Sequence, residues 1–163
     1  IKAAVPSSFD PITLGHMDII ERAARIFGEL HVLLCANSEK SSMFTSDERL
    51  SHLRAACIGI NNVTVAKCDG LLADYAVRNG ISFIVKGARN ATDFEYEMSL
   101  SSINAKLGNG LETLIFPARP EISYISSTYA REMIKYKKPL EDSIPSAVAD
   151  IIYKTRYCTN NII

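Results

Sequence analysis

The sequence predicts an α/β protein, a single domain built on a doubly wound, five-stranded parallel sheet with helices on both faces. Three observations predict it. Five short apolar runs recur along the 163 residues, each followed by residues at helical spacing. The runs are short and often β-branched, as suits strands buried on both faces. No repeat, low-complexity tract or linker divides the chain, so residues 1–156 read as one domain and 157–163 as a C-terminal tail that frays.

The elements follow in order. IKAAV (1–5) is the first strand, and Met17, Ile20, Ala24 and Phe27 then fall on one helical stripe. HVLLCA (31–36) is the second strand. Thr45 and Glu48 hold capping-box spacing ahead of a helix carrying Leu50, Leu53 and Cys57. VTVA (63–66) is followed by a shorter helix with Leu71, Leu72, Tyr75 and Ala76. ISFIV (81–85) precedes a helix striped by Leu100, Ile103 and Leu107, with Thr92 and Glu95 spaced to cap its start. TLIF (113–116) is the last strand, and helices over 127–137 and 144–156 close the domain. The right-handed crossover rule turns this alternation into an open, Rossmann-like sheet.

Composition narrows the function classes. Eighteen basic residues balance eighteen acidic ones, against a general nucleic-acid or membrane-surface binder. Cys35, Cys57, Cys68 and Cys158 have no CxxC spacing, which predicts reduced thiols rather than a zinc site or disulfide framework. The sequence shows no leader pattern and no apolar run near the roughly 20 residues that span a bilayer, so a cytoplasmic protein is expected. A redox dinucleotide module would need G-x-G-x-x-G after the first strand, and a P-loop kinase G-x-x-x-x-G-K-[ST]; neither is present.

In open α/β sheets ligands bind beyond the carboxyl ends of the strands. Those ends carry Pro6-Ser7-Ser8-Phe9-Asp10-Pro11 with Thr13-x-Gly15-His16, then Asn37 to Ser42, Cys68 to Leu71, Lys86-Gly87-Ala88-Arg89, and Pro117 to Thr128. Three cations (Lys40, Lys86, Arg89), several hydroxyls and two helix N-termini are thereby brought to one edge, a locally basic cleft suited to a small polyphosphate. Taken singly, each segment also has a plain structural reading: turn chemistry for Asp10-Pro11 and Gly15, a cap or surface position for His16, a helix cap for Ser126-Ser127-Thr128, and an amphipathic first turn for Asp93 to Glu97. His31 and His52 have no motif around them and are read as structural.

PSSFDPITLGH, EKSSMF, KGARNATDFEYEM and ISSTYAREM together resemble the signature segments of the bacterial phosphopantetheine adenylyltransferases, and the resemblance runs from about residue 3 to 153. Thr-x-Gly-His is that family's form of the His-x-Gly-His motif of the nucleotidyltransferase superfamily. Ile-Ser-Ser-Thr is the superfamily's second signature, and Asp-Phe-Glu-Tyr-Glu is specific to the family. The resemblance implies transfer of AMP from ATP to 4′-phosphopantetheine, giving dephospho-coenzyme A and pyrophosphate. It implies catalytic roles for His16, Lys40 and Lys86. It places ATP against Ser8, Phe9, His16, Gly87, Ala88, Arg89, Glu97 and the loop Ile122, Ser123, Tyr124, Ile125, Ser126, Ser127 and Thr128. It places the acceptor against Ser8, Lys40, Leu72 and Lys86. It also implies magnesium brought with ATP rather than held by protein side chains, a cytoplasmic homohexamer, and feedback inhibition by coenzyme A.

Three positions depart from the family's commonest pattern: Ser7 where Gly is usual, Lys86 where Arg is frequent, and Ser41-Ser42 where Lys-Pro is common. They bear on affinity and loop stiffness. The reaction itself is consistent with the residues. A phosphate monoester is largely dianionic near pH 7, its second pKa being about 6, and needs no general base. Alternatives are a sister nucleotidyltransferase acting on nicotinamide mononucleotide or making a CDP-alcohol, and a non-catalytic adenine-nucleotide sensor on the same sheet.

Overall fold

The computed structural model of the chain describes residues 1–35 and 41–158. Five parallel strands, β1 (Lys2–Ser7), β2 (Glu29–Cys35), β3 (Val63–Cys68), β4 (Phe83–Ala88) and β5 (Glu112–Pro117), lie in the order β3-β2-β1-β4-β5. The helices between them are α1 (Leu14–Ile26), α2 (Ser46–Ala56), α3 (Leu72–Asn79) and α4 (Ala91–Leu107). A single 3₁₀ turn (Pro120–Ile122), α5 (Ser127–Lys135) and α6 (Ser146–Ile152) follow, and the last described helical turn has π geometry (Tyr153–Tyr157). This is the single-domain, doubly wound sheet that the sequence predicts.

The alternating side chains of the strands serve two cores. Ala3, Val5, Val32, Leu34 and Val85 join Ile20 and Ala23 of α1, Leu53 of α2, Ala130 of α5 and Val148 of α6 on one face. Ala4, Leu33 and Ile84 join Ala76 of α3 and Leu111 on the other. Gly80 ends α3 at φ 66°, the left-handed backbone that a residue without Cβ adopts freely.

Register explains where the fold opens. β1 and β2 pair at six successive positions, from Lys2↔Glu29 to Ser7↔Leu34. β1 and β4 pair at only two, Ala3↔Phe83 and Ala4↔Ile84, near their amino ends. Beyond those positions the two central strands part. The chain also reverses its direction of winding here, so a crevice at a topological switch point results.

The structure corrects three local expectations. Asn90, not Thr92, caps α4, its Oδ1 accepting from the Asp93 N–H at 2.9 Å. The α4 stripe is not a buried seam: Ile103 and Leu107 are exposed, and α4 has no fully buried residue. The periodicity is real, but the packing of α4 on β4, β5 and α3 leaves that part of its stripe uncovered. The final helix is α6 plus the π turn, ending at Tyr157. That residue belongs to the packed body rather than a tail, its hydroxyl donating to the Met133 and Lys138 carbonyls at 3.3 and 3.0 Å. Among the described residues no helix is long and apolar enough to cross a membrane. All four cysteines are free, although β2–β3 register places Cys35 beside Cys68.

Candidate active site

Where β1 and β4 part, a cavity of about 450 Å³ opens, a size that suits a small-molecule ligand. Val5, Pro6 and Ser7 form one wall and Val85, Lys86 and Gly87 the other. The first turns of α1 (Gly15, His16) and α5 (Ser126, Ser127) close one side, and one face of α4 (Thr92, Asp93, Tyr96, Glu97) closes another. Two helix N-termini thus meet at one cleft, the geometry that favours an anion.

His16 is fixed by its own helix. Thr13 is the N-cap of α1; its hydroxyl accepts from the His16 N–H at 3.4 Å, and its N–H donates to His16 Nδ1 at 3.1 Å. A capping box normally ends in Glu or Gln; here the imidazole takes that place. Because Nδ1 accepts, a neutral His16 carries its proton on Nε2, the nitrogen nearest the Ser7 hydroxyl at 3.4 Å. Burial, together with the Lys86 and Arg89 charges, lowers the His16 pKa to about 4. At neutral pH the site therefore presents an uncharged N–H donor of set direction.

Both described cations arrive with a carboxylate. Lys86 Nζ lies 3.1 Å from Glu97 Oε1 and donates to the Pro6 carbonyl at 3.3 Å, bridging the gap between the parted strands. Arg89 binds Asp93 through Nε at 2.9 Å and through its backbone N–H at 3.1 Å. Burial alone would raise the Asp93 carboxyl, but these Arg89 hydrogen bonds hold it below its ordinary value. The expected locally basic cleft is thus charge-paired among its described side chains. Phosphate binding here trades one anionic partner for another rather than filling an unmatched positive field. Among the described residues no cluster of three or more His, Cys, Asp or Glu could hold a metal ion.

The structure gathers His16, Lys86, Gly87, Arg89, Glu97, Ile122, Ile125, Ser126 and Ser127 around the cavity. Other sequence-predicted residues stand apart from its walls. Ser8 is exposed at the loop tip, its carbonyl accepting from Arg49 Nη1 at 2.9 Å. Phe9 is fully buried, and its ring packs against the His16 imidazole with centroids 4.9 Å apart, so it supports His16 from below. Its φ of 45° is rare for a bulky residue and turns the chain sharply between the exposed Ser8 and the buried Asp10. Ala88 hydrogen-bonds through its carbonyl to the Ala118 N–H at 2.9 Å. Ser123 and Tyr124 form the turn before α5, with the Tyr124 ring edge-to-face with that of Tyr129, and the Thr128 hydroxyl accepts from Arg131 Nη2 at 3.0 Å. Leu72, at the start of α3, packs against the core around Leu33. Lys40 lies outside the described residues.

Several residues that the sequence named only within motifs, turns or caps complete the site. Thr13 had a legible signal, its capping-box distance from His16. Thr92 and Tyr96 share the cavity face of α4 with Asp93 and Glu97 at helical spacing, and of these the resemblance places only Glu97 at the nucleotide. Buried Asp10 had no local signal beyond turn chemistry. Its two oxygens accept from the Met43 and Phe44 N–H groups at 2.8 and 2.9 Å, and Arg131 Nη1 donates to its carbonyl at 2.7 Å. One residue thereby ties the first loop to the segment after β2 and to α5.

Comparison with known proteins agrees with this geometry. The cytidylyltransferase-like family profile matches residues 4–133. A phosphopantetheine adenylyltransferase of Corynebacterium diphtheriae is 47% identical over 152 residues, covering 93% of this chain and 95% of that protein. One of Symbiobacterium thermophilum is 46% identical over 149 residues, covering 91% and 92%. A solved structure from Vibrio parahaemolyticus assigned as a nicotinate-nucleotide adenylyltransferase superposes with a TM-score of 0.71, covering 94% of this chain and 91% of that one. At 16% identity that likeness shows the fold alone. A switch-point cleft with a capped Thr-x-Gly-His turn, and near-full-length identity of this order, place the chain in the cytidylyltransferase-like family, among its phosphopantetheine adenylyltransferases.

Proposed function

We propose that the chain transfers AMP from ATP to 4′-phosphopantetheine, forming dephospho-coenzyme A and pyrophosphate. The observation that carries this reading is His16: a neutral imidazole whose Nε2–H is aimed by the Thr13 amide into a cleft shared with Lys86 and two helix N-termini. An oxygen of the acceptor's phosphate attacks the α-phosphorus in line. The new P–O bond forms as the bond to the α,β-bridging oxygen breaks, and its electron pair leaves with pyrophosphate. The dianionic acceptor supplies its own nucleophile, so the protein's task is alignment and charge stabilisation. His16 donates to the oxygens of the α-phosphate. Lys86 leaves Glu97 to neutralise the reacting phosphates, and Arg89 with the α5 N-terminus steadies the rest of the nucleotide.

Lys40 is proposed to anchor the acceptor phosphate, with Ser8 beside it and Leu72 along the pantetheine arm. Magnesium is proposed to accompany ATP on its phosphate oxygens; the described carboxylates of the cleft are already paired with Lys86 and Arg89. A cytoplasmic homohexamer inhibited by coenzyme A completes the proposal. The support for self-association is the α4 surface, where Phe94, Met98, Ile103 and Leu107 are all exposed.

The testing experiment is pyrophosphate release from magnesium-ATP with and without 4′-phosphopantetheine. Acceptor-dependent release with formation of dephospho-coenzyme A is expected. ATP binding without release, or release only with a different acceptor such as nicotinamide mononucleotide, would overturn the proposal.

A further inference from the structure

Two residues beyond His16, α1 carries an acid that faces away from the reacting centre. Asp18 has a side chain only 10% exposed, and it holds two arginines. Its Oδ1 lies 2.9 Å from Arg119 Nε and its Oδ2 2.9 Å from Arg22 Nη1. Arg22 Nη1 also donates to the Pro117 carbonyl at 2.9 Å, and its guanidinium lies 4.9 Å over the Phe116 ring. One carboxylate therefore joins the helix bearing His16 to the exit of β5.

The segment beyond β5 makes this join consequential. Residues 119–125 lead to the cavity wall through Ile122 and Ile125. Their own hydrogen bonds close within the segment: Ile122 N–H to the Arg119 carbonyl, Ser123 N–H to Pro120, and Ile125 N–H to Ile122, at 3.1, 3.4 and 3.0 Å. Among the described residues, the Arg119–Asp18 pair is the one polar tie from this segment to the rest of the molecule. Arg119 itself is exposed and does not line the cavity.

We propose that Asp18 is a positioning residue for the nucleotide: through Arg119 it holds the 119–125 wall at a fixed distance from the His16 end of α1. The inference rests on the adenylyl-transfer reading above, which makes ATP the ligand between those walls. A carboxylate kept only for charge would act in the opposite sense, since removing it leaves two cations nearer the triphosphate and tightens ATP.

The test is steady-state kinetics of wild type, Asp18→Asn, Arg119→Gln and the double variant, each substrate varied in turn, with thermal melting of each protein. The expected result for Asp18→Asn is a KM for ATP raised about tenfold, with kcat within about threefold and the KM for 4′-phosphopantetheine unchanged. Arg119→Gln should give a similar rise, and the double variant should be no worse than the more severe single one, because both break the same tie. A KM for ATP that stays within twofold or falls overturns the inference, as does full additivity of the two variants. If Asp18→Asn fails to fold, Arg119→Gln decides: an unchanged KM for ATP in a folded protein is again fatal. A wild type that releases no pyrophosphate under any acceptor overturns the functional reading and this inference with it, whereas an active wild type with an indifferent Asp18→Asn removes the inference alone.

Discussion

At the scale of single residues the structure turns on His16. A surface imidazole at pH 7 is partly charged, but this one is held neutral by burial and by the Lys86 and Arg89 charges, with its tautomer set by the Thr13 amide. Nitrogen NMR of the free protein should show Nε2 protonated and Nδ1 bare, with the ring titrating near pH 4 rather than 6.5. Linkage gives a second check. As pH falls from 6.5 toward 4 the unfolded chain takes up this proton before the folded one, so His16 costs stability across that window, with the cost complete below about 4. Over this range the melting temperature of His16→Gln should therefore drop less than that of wild type. In catalysis His16→Ala should lower kcat on the order of 10²–10³-fold, the scale for one lost transition-state donor. Turnover near wild type would remove His16 from the reaction.

Elements meet in and around this site through close packing and paired hydrogen-bonding groups. Gly87 of β4 passes under α1 so closely that an added Cβ would lie 3.0 Å from Ile19 Cγ1 and 3.2 Å from its Cδ1. Gly87→Ala should cost about 1–2 kcal/mol in urea unfolding through overpacking. It should also raise the KM for ATP, since the same residue lines the cleft. Asp10 works at the junction of three elements. Removing its carboxylate in Asp10→Ala leaves the Met43 and Phe44 amides without an acceptor, Phe44 being buried. A loss of about 3 kcal/mol is expected, measured by denaturant titration. A change below about 1 kcal/mol would show that the segment after β2 is held by packing around Phe44 rather than by this carboxylate.

For the whole molecule, the sheet and the α4 surface carry the consequences. Parting of β1 and β4 after two registered pairs is what converts a parallel sheet into a cleft. The exposed α4 row, with Ile103 at 54% and Leu107 at 50%, is an uncovered apolar face among the described residues. Sedimentation equilibrium of wild type should give a mass well above the 18.0 kDa of one chain, and Ile103→Glu should lower it. A wild type that sediments at the single-chain mass would contradict self-association. The central strands were legible because a parallel strand buried on both faces needs an unbroken apolar run. The edge strands β3 and β5 keep exposed side chains and were legible from short apolar, partly β-branched runs. Leu100, Ile103 and Leu107 show the limit of that logic. Helical spacing announces an apolar stripe but not what covers it, and here the chain itself does not.

By itself the sequence determined the alternation of strand and helix, the cleft segments at the strand ends and the Thr-x-Gly-His turn. Each depends on neighbours a few residues apart, where hydrophobic period and capping chemistry act directly. Tertiary structure alone decided which strands lie side by side, that Lys86 is matched by Glu97 of α4, and that Asp18 and Asp10 join segments about a hundred residues and some thirty residues away in the chain. Those contacts form between groups brought together only when the sheet is complete. No local pattern in either partner encodes the distance between them.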